Sequence, residues 1–96
     1  MNNNNKEEIF KRAIANWGIQ SQIDMFIEES SELTKAFMKL RRARGSEDEA
    51  RCLKDVVEEI ADVMNCIEQM RYYFGETEVD LVREKKLERL KNIFIS

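Results

Sequence analysis

The sequence predicts an all-α protein: a four-helix, bundle-like chain with two long central antiparallel helices, shorter helices before and after them, and completion by oligomerisation. Three observations lead there. Proline is absent and glycine occurs three times in 96 residues, so the punctuation of a turn-rich β architecture is missing. Apolar residues make up 43% and charged residues 36% of the chain, the balance that amphipathic helices need. Apolar positions also recur at spacings of three, four and seven, the period of one helical face.

Asn2 to Asn5 read as a frayed polar leader, and Asn5 with Glu8 has the spacing of a capping box ahead of a first helix at Lys6 to Asn16. Ile9, Phe10, Ala13 and Ile14 form its stripe, and Trp17-Gly18 breaks the pattern. A second helix starts near Ile19 to Ser21 and runs to about Arg42, with Ile23, Phe26, Ile27, Leu33, Phe37 and Leu40 as its periodic residues. Arg44-Gly45-Ser46 ends it, and Ser46 with Glu49 fits a second capping box. The third helix carries one broad stripe from Leu53 through Val56, Val57, Ile60, Val63, Met64 and Ile67 to Met70, and extends to about Tyr73 or Phe74. Gly75 interrupts the chain, and Thr77 with Asp80 marks a fourth helix bearing Val79, Val82, Leu87, Leu90 and Ile93. Connections this short favour antiparallel neighbours.

The length fits a single domain with a limited core, and the wide apolar arc of the third helix asks for more cover than one neighbour gives, so a homodimer is the minimum expectation. A net charge of -3 provides no positive field for a nucleic-acid backbone, and no nucleic-acid partner is expected. No apolar run approaches the roughly 20 residues that span a bilayer, which predicts no membrane association and a cytoplasmic location. Cys52 and Cys66 fall on one predicted helix about 21 Å apart, too far for a disulfide. Histidine is absent, so any metal must be held by oxygen ligands.

The chemistry concentrates in two runs, Glu28-Glu29-Ser30-Ser31-Glu32 on the second helix and Glu58-Glu59-Ile60-Ala61-Asp62 on the third. Glu29 and Glu32 stand roughly 60° apart on one helical surface, as do Glu59 and Asp62, and each pair borders an apolar seam. Antiparallel packing of the long helices would bring the pairs level. Four converging carboxylates repel one another unless a cation neutralises them, and an oxygen-only cluster suits Mg²⁺, with Mn²⁺ as a substitute. Magnesium keeps waters and reaches outward to substrate phosphates, which points to metal-assisted attack of water on phosphorus. Glutamate-rich faces are also commonly solvated, and spacing alone leaves both readings open.

The run from Trp17 to Ala36, with Gln22, Phe26, Glu28-Glu29-x-x-Glu32-Leu33 and Lys35-Ala36, followed by Glu58-Glu59-Ile60-Ala61-Asp62-Val63 and a Lys86-x-x-Arg89-Leu90-Lys91 tail, closely resembles the MazG-like all-α nucleotide pyrophosphatases. The resemblance implies a magnesium-dependent nucleoside triphosphate pyrophosphohydrolase that releases a nucleoside monophosphate and pyrophosphate in nucleotide-pool house-cleaning. It implies dimers or tetramers with bundles completed between subunits. Matched position by position, Glu29, Glu32, Glu59 and Asp62 become the metal ligands and catalytic acids, with Glu29 as the group that positions or deprotonates water. Lys35, Lys86 and Arg89 become triphosphate anchors. Trp17 either stacks on a base or plugs the bundle's end, the plug being favoured, and Gln22 offers an amide to base or sugar from an exposed position near a helix start. The rival to an enzyme is a non-catalytic helical oligomerisation or regulatory module whose acids form a solvated face.

Overall fold

Residues 3–95 are described by the computed structural model, and they form four helices. These are α1 (Asn3–Trp17), α2 (Ile19–Ala43), α3 (Glu49–Phe74) and α4 (Glu76–Ile95). The all-helical expectation holds. Helix α1 already includes Asn3 to Asn5, so the leader is not frayed there and Asn5 cannot cap Lys6; Met1 and Asn2 lie outside the described residues. Helix α4 likewise starts before Thr77, at Glu76.

The helix boundaries have local causes. Gly18 takes φ 87° and its N–H donates to the Ile14 carbonyl at 2.8 Å, so α1 closes on a conformation that side chains disfavour and α2 starts at once in a new direction. Gly75, at φ 136°, does the same between α3 and α4, its N–H donating to the Arg71 carbonyl. Between α2 and α3 the capping box shifts by one residue. The Ser46 hydroxyl donates to the Ala43 carbonyl at 2.6 Å and accepts from the Asp48 N–H, while the Glu49 carboxylate accepts from the Gly45 N–H at 3.1 Å. Helix α3 therefore begins at Glu49 rather than just after Ser46.

Helices α2 and α3 form the spine. Their partners run in opposite sequence directions: Gln22 meets Gln69 at one end, Glu29 meets Glu59 and Asp62 in the middle, and Ala36 shares a groove with Cys52 near the connection. The helices are antiparallel. The buried apolar residues along the spine are small, Ala36, Ala43, Cys52, Val56 and Cys66, which lets two backbones approach closely. Both cysteines are free thiols, as their separation requires.

Gln22 is buried, contrary to its expected exposure near a helix start. Its Oε1 accepts from Gln69 Nε2 at 2.9 Å, and the two amides are 4% and 6% exposed. Helix α1 covers this end through Phe10 against Tyr72, with ring centroids 6.0 Å apart, and through the Lys6–Glu68 ion pair at 3.3 Å. Trp17, 61% exposed, does not plug the bundle.

Helix α4 meets only α3 and has no buried residue. Its attachment is the Arg71 guanidinium, which donates to both oxygens of Asp80 at 2.7 Å and to Glu76 at 3.2 Å. The bidentate bond from Arg71 draws the Asp80 carboxyl below its usual range. The chain is consequently far from spherical. Its radius of gyration is 16.7 Å, where a compact chain of this length has about 12.5 Å. Its accessible surface is 7755 Å², against roughly 5,800 Å² for a compact monomer of this mass.

Two outcomes follow. Gln22→Ala strands the Gln69 amide in the seam and lowers unfolding stability by about 1–3 kcal/mol, whereas Gln22→Leu with Gln69→Leu is close to neutral, as measured by urea unfolding. Because Asp80 is more acidic folded than unfolded, its bridge stabilises above the unfolded value of about 3.9, and that contribution disappears as pH falls through the lowered folded value. Protection of the α4 amides, measured relative to their intrinsic exchange rates, should therefore fall in acid and, at neutral pH, on Arg71→Met; protection indifferent to both would show that something else holds the helix.

Candidate metal centre

The antiparallel register sets Glu29 of α2 opposite Glu59 and Asp62 of α3. One carboxylate oxygen from each lies within 4.8 Å of the others, with Glu29 and Glu59 half-buried and Asp62 exposed. Each stands where its helix brings it for a simple reason. Glu29 is one heptad beyond Gln22 and Asp62 one heptad before Gln69, so the amide pair and the acid pair lie in the same register. The small seam residues then allow side chains as short as aspartate to reach across.

The electrostatics are those of an uncompensated cluster. Desolvation, followed by the charges of Asp62, Glu59 and Glu28 and a hydrogen bond shared with Glu59, raises the Glu29 carboxyl above its ordinary value. Glu59 Oε2 is sealed from solvent and has no hydrogen-bond donor, the one such side-chain atom among the described residues. The adjacent Glu29 supplies a donor only by holding a proton. Beneath them Cys66 is buried, and burial together with the Glu29 and Asp62 carboxylates pushes its thiol up, keeping it neutral. No cationic side chain forms an ion pair with Glu29, Glu59 or Asp62 among the described residues.

Glu32 stands apart from the other three. It pairs with Lys35 at 3.5 Å and lines an adjoining groove with Glu59, Lys35, Ala36, Lys39, Cys52, Asp55 and Glu58. The reason is rotational: Glu29 faces α3 directly, and Glu32, about 60° around α2, looks along the groove instead. Three of the four expected ligands are thus brought together, and the fourth lies at the rim. Lys35 is also at the rim.

The remaining expected site residues are not gathered there. Lys86 lines a separate apolar groove on α4, and Arg89 is exposed on that helix, which meets only α3. Gln22 spends its carbonyl on Gln69, and Trp17 stands exposed at the corner between α1 and α2. Conversely, Lys39, Asp55 and Cys66 belong to the site or its groove and were not assigned to it from sequence. A signal existed for Lys39, which lies four residues after Lys35 and seven after Glu32 on the same face of α2.

The donor set is all oxygen, half-desolvated, clustered and short of positive charge, and it fits a hard divalent cation better than a transition metal that prefers nitrogen or sulfur. The chain gives no match to known protein families, to curated proteins or to solved structures.

The raised Glu29 carboxyl makes the metal-free native state take up a proton more readily than the unfolded chain. Stability without divalent cation therefore falls as pH rises from the ordinary value of 4.5 through the raised one. In chelator at neutral pH, Glu29→Gln should raise the melting temperature and also remove the rise that Mg²⁺ gives the native sequence. An unchanged melting temperature in chelator would mean that the three acids do not repel one another.

Proposed function

We propose that the protein is a magnesium-dependent nucleoside triphosphate pyrophosphohydrolase, converting a triphosphate and water to a monophosphate and pyrophosphate. The observation that carries this reading is the Glu29–Glu59–Asp62 cluster with its sealed, donor-less Glu59 oxygen, opening beside a groove that contains Lys35 and Lys39. An acidic cluster alone would suit many roles. Its junction with a pair of lysines on the neighbouring turns gives one place for a cation and an adjoining place for phosphate oxygens. The sequence resemblance to MazG-like pyrophosphatases points the same way.

The residues divide the work by position. Glu29, Glu59 and Asp62 would hold Mg²⁺ (or Mn²⁺), which when bound neutralises phosphate charge and acidifies a water. Lys35 and Lys39 attract and orient the phosphates, with Glu32 setting the Lys35 ammonium at the rim. Glu29, half-buried beside the other two acids, would take the proton from the attacking water. As the water oxygen bonds to phosphorus, the bond to the α–β bridging oxygen breaks and its electron pair leaves with the pyrophosphate or monophosphate group. Half-burial of Glu29 and Glu59 excludes part of the bulk water and strengthens these interactions.

A non-catalytic helical oligomerisation module is the second reading, favoured by the extent of apolar surface left exposed on α3 and α4. The two differ in one measurement. A panel of nucleoside triphosphates with Mg²⁺ should yield monophosphate and pyrophosphate in equal amounts, and Glu59→Gln should reduce the rate about a hundredfold or more. Orthophosphate as the sole product refutes the reaction type. No turnover of any triphosphate, combined with a melting temperature indifferent to Mg²⁺, favours the module.

A further inference from the structure

Helices α2 and α3 are held against each other at both ends of their seam, by different means. At one end the short connection from Arg44 to Asp48 restrains them, tied down by the hydrogen bonds of Gly45, Ser46 and Glu49. At the other end no covalent link joins them, and the Gln22–Gln69 hydrogen bond, 2.9 Å long between two buried amides, takes its place. Helix α1 also covers that end, but through a ring contact and a partly exposed ion pair that small displacements leave intact. The seam between the two points is built of Ala36, Cys52, Val56 and Cys66, whose apolar attraction has no direction and fixes no register.

The three acids lie between those points, where they push the helices apart. Glu29 follows Gln22 by one heptad and Asp62 precedes Gln69 by one heptad, about 10.5 Å along each helix axis. With Glu59, their carboxylate oxygens lie within 4.8 Å of one another, and like charges at that separation repel. Because the connection restrains one end, this repulsion favours slipping or splaying at the other. A bond between neutral amides opposes both movements: it adds no charge to the site, and breaking it leaves two buried polar groups without partners.

We propose that Gln22 and Gln69 are positioning residues for the metal centre, holding the empty carboxylates at a spacing that suits a small divalent cation. This role rests on the metal reading above and concerns what sets the affinity and selectivity of that site. A frame assembled before the ion arrives spares the ion the cost of drawing two helices together. It also discriminates by size. Mg²⁺ demands ligands at about 2.0–2.1 Å in near-octahedral array, whereas Ca²⁺ accepts about 2.3–2.6 Å in looser arrangements. A closed frame therefore favours Mg²⁺, and a frame free to widen loses that preference.

Gln22→Leu with Gln69→Leu keeps the seam apolar and the chain stable, but removes the directional bond. In calorimetric titrations this double variant should bind Mg²⁺ roughly tenfold more weakly than the native chain, the low end of what loss of a ligand-orienting contact costs, with Ca²⁺ affected less. Cys66, buried on α3 between Asp62 and Gln69, reports on the seam without metal. In chelator it should react with a thiol reagent several times faster in the double variant, while Cys52, near the connection, stays as slow as in the native chain; mass spectrometry separates the two. Should the variant fail to fold, Gln22→Met with Gln69→Met, which keeps both side-chain lengths, is read in the same way. Failure of both to fold makes the amides a requirement of the fold alone and overturns the proposal. Native Mg²⁺ affinity, an unaltered preference for Mg²⁺ over Ca²⁺, or unchanged Cys66 reactivity in a folded double variant also overturns it, and leaves the metal reading standing. A native chain that binds neither ion ends both.

Discussion

The close approach of α2 and α3 is the constraint on which the rest of this structure depends. A seam of alanine, cysteine and valine brings two backbones near enough for short side chains to meet across it, and the Gln22–Gln69 bond forbids sliding. A shift of one helical turn would leave two amides buried without partners. The register that satisfies them places Glu29 opposite Asp62, one heptad further along each helix. The acids are therefore gathered by packing forces that act elsewhere, and their mutual repulsion is imposed on them. That is the arrangement expected of a site for a positively charged ligand, and it is the reverse of what stability alone would select.

The helices and their order were legible because periodicity and glycine placement are local. Gly18 and Gly75 fall at the ends of apolar stripes, and both corners lie where the sequence puts them. Three of the four acids were legible for a related reason: spacing along a helix fixes direction, and two directions that face a shared seam must converge. Glu32 was misjudged because a rotation of about 60°, small on a helical wheel, separates facing a neighbour from looking along the groove beside it. Gln22 was misread because its burial depends on Gln69, 47 residues away, and no local pattern encodes that partner. Trp17 and the broad α3 stripe share another cause. Composition shows that residues are apolar, not which chain covers them, and within one chain most of these remain uncovered.

A small seam has a thermodynamic consequence. The residues that make close approach possible bury little apolar area each, and none of the large aliphatic side chains of α3 lies fully inside. The hydrophobic contribution available to the isolated chain is correspondingly low, while the conformational entropy lost on ordering four helices is that of any chain of this length. The same sequence choice, alanine, cysteine and Val56 inward and Leu53, Val57, Ile60, Met64 and Ile67 outward, thus produces both the narrow spacing at the acids and the unburied surface behind them.

Proton and cation are, on this geometry, alternative ways of meeting one requirement. The sealed Glu59 oxygen needs a positive or hydrogen-bearing neighbour, and within the cluster itself the groups are carboxyls and a neutral thiol. In the metal-free protein a proton on Glu29 meets that need, and its carboxyl is raised by desolvation first and then by the charges of Asp62, Glu59 and Glu28. A divalent cation held by the three acids would meet it more fully, since it would neutralise all of them at once and take the place of the proton.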